Sequence, residues 1–180
     1  MNAIDFDFLM TERLQLRMPA DDDAAALLAL YGDAQVMRHW SHGPWSCIAQ
    51  AQAAILEAQH DLSTGRALHL AIAPRAGAGL VGSCALFDIV AQHRRATLGY
   101  LLAPAYWGQG LAHEALRALL AYGIGVLGLQ RIEAEVAPRN VASQALLTRL
   151  GFRREGLMLA RWRVDGEARD VELWALLGCV

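Results

Sequence analysis

At 180 residues, 55% of them hydrophobic and 19% charged, the chain can bury one core and is too short for two comfortable ones. That balance excludes a disordered chain, and a net charge of −2 offers no basic field of the kind that holds nucleic acid. Scattered Cys47, Cys84 and Cys179 form no disulfide framework, and an acidic N-terminus and the lack of a long apolar run argue against a secretory leader or membrane span, so a cytoplasmic protein is expected.

In chain order, residues 13–18 alternate polar and apolar as a half-buried strand that Pro19 ends. Asp21, Asp22 and Asp23 open a helix through Tyr31, where carboxylates suit the positive end of the dipole; Gly32 and Asp33 break it. Residues 34–40 read as a short helical turn before the loop Ser41-His42-Gly43-Pro44. Ser46 reads as the N-cap of a helix to about residue 63, with Ala49, Ala53, Leu56 and His60 marking one face. Strands at 67–72 and 80–89 join through the glycine-rich stretch 75–79.

A polar loop at 91–95 leads to a strand at 96–102 and then to Pro104-Ala105-Tyr106-Trp107-Gly108-Gln109-Gly110. Leu111, Ala115, Leu119, Tyr122 and Val126 follow at helical spacing. Residues 131–136 alternate as a strand, Pro138-Arg139-Asn140 turns the chain, and 141–150 form a helix stopped by Gly151. Strands at 152–162 and 169–176 pair through Asp165-Gly166. Arg149, Arg153, Arg154, Arg161 and Arg163 gather late, as a solvated strand face would have them.

The order of elements describes a mixed sheet with helices on both faces. Its most informative stretch is the strand, glycine loop and helix around Gly108 and Gly110. Glycines let backbone approach a ligand closely, and the N–H groups of a helix's first turn suit a phosphate or pyrophosphate. A turn that merely needs glycine is the alternative. The dinucleotide fingerprint would require glycine where His113 stands, and no Gly-Lys-Ser/Thr ending supports a triphosphate loop.

Trp107-Gly108-Gln109-Gly110-Leu111-Ala112 resembles the acetyl-CoA loop of the GNAT acetyltransferases, Arg/Gln-x-x-Gly-x-Gly/Ala, except at its first position. Tryptophan there resembles the Rim-type branch, which acetylates N-terminal amines of ribosomal proteins. The run 131–136 followed by Pro138, Asn140, Ser143 and Leu150-Gly151-Phe152, and then Arg153-Arg154-Glu155-Gly156, is similar to the same family. The resemblance implies an α/β (α+β) GNAT fold with a mixed central sheet of about seven strands, splayed at the acetyl-CoA site. Residues 11–177 would form one N-acetyltransferase domain after an N-terminal extension, 1–10.

Acetyl transfer to an amine asks for removal of a proton from the amine, stabilisation of the carbonyl oxygen, and a proton donor for the departing thiolate. The resemblance implies that backbone groups of Tyr100, Leu101 and Leu102 hold the pantetheine arm, and that amides of Gly108, Gln109, Gly110, Leu111, Ala112 and His113 hold the pyrophosphate. Gln109 is equally a helix N-terminal residue.

Glu135, five residues before Asn140, is the implied base, and Glu133 shares its face because strand side chains alternate. The alternative is an exposed edge glutamate, with His69, His93 and Asp88 as further candidates through water. Leu147 stands where many members place a donating tyrosine, so the resemblance implies Ser143 as the acid. Asn140 and Ser143 would also contact the cofactor, and each is equally a helix cap.

The acceptor end is implied to draw on the first two helices and the last hairpin. His39, Trp40, Trp45 and Trp162 are candidate substrate walls there, beside Met37, and each is otherwise core. His39-x-x-His42 with Cys47 lacks a second ligand pair, so no metal is expected. The chain is therefore read as an acetyl-CoA-dependent N-acetyltransferase working by direct attack on a primary amine, a protein N-terminal α-amine first. The alternatives are a small-molecule amine (polyamine, amino acid or antibiotic) and, because of Leu147, an inactive acyl-CoA-binding module. Neither nucleic acid nor membrane is an expected partner; a homodimer is possible.

Overall fold

Period-two alternation along the strands decides which side chains meet the helices and which meet the site. The structure, a computed structural model, describes residues 3–77 and 79–178, so Cys179 lies outside the described residues. The strands are β1 (Phe8–Met10), β2 (Leu14–Arg17), β3 (Leu68–Pro74), β4 (Gly82–Val90), β5 (Arg95–Leu102), β6 (Arg131–Val136), β7 (Arg153–Val164) and β8 (Glu167–Leu177). The helices are α1 (Ala24–Gly32), α2 (Ala34–Met37), α3 (Ile48–Thr64), α4 (Leu111–Gly125) and α5 (Val141–Arg149).

All eight strands form one sheet in the order β1-β2-β3-β4-β5-β6-β8-β7. That is one more than the seven expected. The addition is β1, which pairs antiparallel with β2 inside the stretch read as an extension. Ile4 and Phe6 of that stretch also pack on the main core. Three residues without alternation carry too little pattern to announce a strand.

Only β5 and β6 run parallel, and they pair at Arg95↔Arg131, Ala96↔Ile132 and Thr97↔Glu133. Beyond those pairs the strands part, while β5 continues to Leu102 beside β4 and β6 continues to Val136 beside β8. The sheet therefore opens into a V at its centre.

On one face α4 buries Leu111, Ala115, Leu116, Leu119 and Leu120 against Leu68, Leu70, Leu86, Leu98, Ile132 and Ala134. Burying a leucine contributes about 1.5–3 kcal/mol, so this layer dominates stability. On the other face α1 and α3 meet through Ala24, Leu27, Ala51 and Ile55, and Leu101 packs with Leu30, Val36 and Met37.

Two helix faces differ from expectation. In α3 the row Ala49, Ala53, Leu56 and His60 is exposed, and Ala51, Ile55, Ala58 and Asp61 are buried. Alanine on every side leaves the rotation of that helix open to an apolarity reading. Asp61 decides it, turned inward to meet Arg66. The N-cap is Cys47 rather than Ser46, with the Gln50 side-chain oxygen accepting from the amides of both. In α4 the helix ends at Gly125, so Val126 falls outside the apolar face and is exposed. The closing hairpin turns at Asp165 and Gly166, both at positive φ, as its Asp-Gly pair predicts.

Candidate functional site

The V opens into a cleft of about 930 Å³ whose lining comes from both faces of the sheet. It runs from Asp61 on α3 across β3, β4 and β5 to Glu133 and Glu135 on β6, and ends at Asn140, the cap of α5, and Ser143 in its first turn. His39 and Trp40 line it from the α2 side, and Arg161 and Trp162 from β7. Tyr100, Glu135, Asn140, Ser143, His39, Trp40 and Trp162 are thus brought together, with His69 and Asp88 on the same walls. Trp45 is not among the lining residues. Its ring stacks on Tyr31 with centroids 4.2 Å apart, where it packs the α1–α3 cluster. His93 lies exposed in the turn before β5. The side chains of Leu101 and Leu102 are buried in the two cores.

Gly99 forms the floor beneath Trp40 and Phe87. A Cβ there would lie 3.1 Å from Phe87 Cε1 and 3.5 Å from Trp40 Cη2, so glycine lets both rings come down on the strand. Phe87 was not singled out in the sequence, because a phenylalanine within a strand reads as core. Cross-strand register puts His69 opposite Ala85, and Ala85 opposite Gly99, so small residues separate the imidazole from the V.

Three carboxylates of the cleft, Asp61, Glu133 and Glu135, are engaged by arginines. Glu135 Oε1 accepts from Arg161 Nε at 3.1 Å and Nη2 at 2.8 Å, and Oε2 accepts from Trp162 Nε1 at 2.7 Å. A bulge in β7 aims these two donors. The β7–β8 register shifts between Met158 and Trp162, where Ala160 sits at φ 52° and its N–H donates to Asp170 Oδ1 at 2.8 Å.

Glu133 accepts from Arg95 Nη1 at 2.7 Å and from Arg131 Nε at 2.6 Å. Burial works to raise its carboxyl, but the hydrogen bonds and charges of Arg131 and Arg95 outweigh it and hold the group below the usual range. At the far end Asp61 bonds Arg66 at 2.7 Å and lies 3.3 Å from His69 Nε2. At the mouth, burial followed by the charges of Arg38 and Arg169 lowers the His39 imidazole, favouring its neutral form.

At the α5 end Asn140 caps the helix, its Oδ1 accepting from the Ser143 amide at 3.2 Å. Leu147 is fully buried in the main core. The Tyr100 hydroxyl is buried and, among the described residues, has no hydrogen-bond partner. Burial pushes the phenol up to about 12; the Ser143 hydroxyl opposes the rise without reaching hydrogen-bonding geometry. A buried donor left unmade costs about 1–3 kcal/mol.

The glycine loop lies beyond the end of β5. Gly108 at φ 73° and Gly110 at φ 76° occupy the left-handed region that favours glycine. Trp107 Nε1 donates to the Leu102 carbonyl at 2.6 Å, which ties the loop to the strand and gives a structural reason for tryptophan there. Gln109 Nε2 donates to the Ala105 carbonyl at 2.9 Å, so its side chain serves the loop. Arg13 Nη1 donates to the Gln109 carbonyl, and Arg13 Nε pairs with Glu114 at 2.7 Å.

No side chain caps the first turn of α4, where Gly110 is the N-cap. Uncapped amides at the positive end of a helix of 15 residues suit an anion such as a pyrophosphate. With the V and the unpartnered phenol, these features fit a phosphate-tailed acyl carrier. Among the described residues no group of His, Cys, Asp or Glu side chains is arranged to hold a metal ion. No helix among them is long and apolar enough to cross a membrane.

Comparison with known proteins matches residues 13–153 to the acetyltransferase (GNAT) domain. The chain is 36% identical to the uncharacterised N-acetyltransferase p20 of Bacillus licheniformis, covering 94% of this chain and 95% of that protein. It is 30% identical to the ribosomal protein uS5-alanine N-acetyltransferase of Escherichia coli, covering 93% and 89%. It is 29% identical to the spermidine N(1)-acetyltransferase of the same organism, covering 87% and 82%. Among solved structures, Mycobacterium smegmatis RimJ in complex with CoA-disulfide superposes with a TM-score of 0.85 at 26% identity, covering 94% of this chain and 86% of that one.

Proposed function

We propose that this chain, which belongs to the GNAT acetyltransferase family, transfers the acetyl group of acetyl-CoA to the N-terminal α-amine of a protein or peptide. Its enzyme class is N-acetyltransferase, and its relatives act on both ribosomal-protein and polyamine amines.

One observation supports a peptide acceptor over a polyamine. Asp61, Glu133 and Glu135 already answer to arginines of this chain, which leaves Glu57 and Asp88 as lining carboxylates outside the ion pairs of the described residues. A polyamine brings several ammonium groups and needs several unpaired carboxylates to replace their hydration. A peptide N-terminus brings one, followed by neutral backbone that suits the Trp40, Phe87 and Trp162 walls.

Bound acetyl-CoA supplies an acyl thioester, with an electrophilic carbonyl carbon and a thiolate leaving group. The amides of Gly108 to His113 bind its pyrophosphate, and the backbone of Tyr100 to Leu102 its pantetheine arm. Glu135 takes the proton of the acceptor ammonium. Oε2, which accepts from Trp162 alone, keeps a lone pair for it, while the Arg161 and Trp162 bonds fix the carboxylate toward the cleft. Ser143 donates to the sulfur. The exposed Cys47 thiol suits a reducing compartment, and we place the reaction in the cytoplasm.

Thiol release from acetyl-CoA tests the acceptor. A peptide with an unblocked N-terminus is expected to give a kcat/KM at least about tenfold above spermidine, and the same peptide N-terminally blocked gives none. Faster turnover of spermidine transfers the assignment to polyamines.

A further inference from the structure

We propose that the Tyr100 hydroxyl is a hydrogen-bond donor reserved for the thioester sulfur of bound acetyl-CoA, acting beside Ser143. The proposal rests on the acetyl-CoA reading above and adds to it a side chain that the reading used only through its backbone.

The position comes from sheet geometry. β5 and β6 cease pairing after Thr97 and Glu133, and Tyr100 stands three residues further along β5, on the parted stretch. There the residue lines the cleft with Asn140 and Ser143, and its buried hydroxyl lies on the Ser143 side. The same ring packs against the main core, so its placement is fixed from behind.

The chemistry comes from the unpartnered hydroxyl. A phenylalanine would fill this position without burying an orphan O–H, so the oxygen calls for an occupant that the protein alone does not supply. Burial keeps the phenol protonated throughout the neutral range, so it offers a proton for hydrogen bonding and does not act as an anion or a base. Fully buried Leu147 offers no donor, which leaves Ser143 as the contribution of α5 to this part of the cleft.

No proton leaves Tyr100 in this role. As the nitrogen–carbon bond forms and the carbon–sulfur bond breaks, the electron pair of the broken bond collects on sulfur, and the second proton that the nitrogen sheds on becoming an amide neutralises the thiolate. The Tyr100 bond to that atom strengthens, and Ser143 provides the second donor. An interaction that grows as charge develops raises kcat more than it tightens binding.

Tyr100→Phe tests this by two readouts, melting of the protein with and without acetyl-CoA and turnover on a peptide amine. Without ligand the variant is expected to melt no lower than wild type, because no bond is lost. With ligand the rise in melting temperature shrinks, and kcat falls about tenfold or more while KM for the amine is held. A lower melting temperature without ligand means the hydroxyl has a partner in the protein, and overturns the proposal. So does wild-type kcat with a wild-type ligand shift. If wild-type protein itself shows no shift with acetyl-CoA, the cofactor reading fails and takes this inference with it; a wild-type shift with an indifferent Tyr100→Phe rejects the inference alone.

Discussion

The two faces of the sheet come from the same strands by opposite means, and β6 shows it within six residues. Ile132, Ala134 and Val136 turn toward α4 into a core rich in leucine and alanine, where Glu172, opposite Val136, is bonded to Arg154 and to the Trp174 indole. Arg131, Glu133 and Glu135 turn the other way, into a cleft held by arginine–carboxylate bonds. The first face is dry and close-packed, so it answers to volume. The second is half-wet, so it answers to charge, pH and ligand. Along β6, alternation thus separates what keeps the chain folded from what it does, one residue apart.

Substitutions on each face should break that comparison if it is wrong. On the dry face, Leu116→Ala is expected to lose about 3 kcal/mol of stability by urea unfolding, from lost burial and the cavity left behind. Turnover of the protein that remains folded should change little. On the wet face, Glu135→Gln reverses the balance. It should lower kcat by about 100-fold, with stability held within about 1 kcal/mol, since its partner Arg161 is an exposed pair member.

Glu133 sharpens the contrast through pH. Its carboxyl is held below its ordinary 4.5 in the folded chain, so the unfolded chain takes up a proton first as pH falls. Its contribution is complete above that value and is lost as pH drops through the lower folded one. Glu133→Gln should therefore flatten the acid limb of a stability–pH curve, and an unchanged limb would contradict the role. The smallest effect is expected at the β7 bulge. Ala160→Gly relieves a left-handed alanine and should gain about 0.5 kcal/mol in thermal unfolding, unless looser aim of Arg161 and Trp162 shows itself first in kcat.

Much of this architecture is legible in the residues themselves. Alternation at 131–136 specifies both faces of β6, Asp165-Gly166 specifies the closing turn, and the glycine loop and the Asn140–Ser143 segment bracket the cleft. What stays hidden depends on distance or geometry. Glu135 meets its donors 26 and 27 residues away, and only the Ala160 bulge brings them there. Nothing in the sequence marks Asp61 as an inward residue, which its bonds to Arg66 and His69 make it. Trp45 carries no mark that separates a stacking partner of Tyr31 from a cleft wall. The isolation of the Tyr100 hydroxyl follows from where β5 and β6 stop pairing, which no local pattern records.

A crystal structure of the protein with CoA and a peptide bearing an unblocked N-terminus tests the account most directly. The pyrophosphate should lie on the amides of Gly108 to His113 and the sulfur within hydrogen-bond reach of the Tyr100 and Ser143 hydroxyls. The peptide amine should face Glu135. A sulfur away from the V, or a peptide that leaves the Trp40–Trp162 cleft empty, would contradict it.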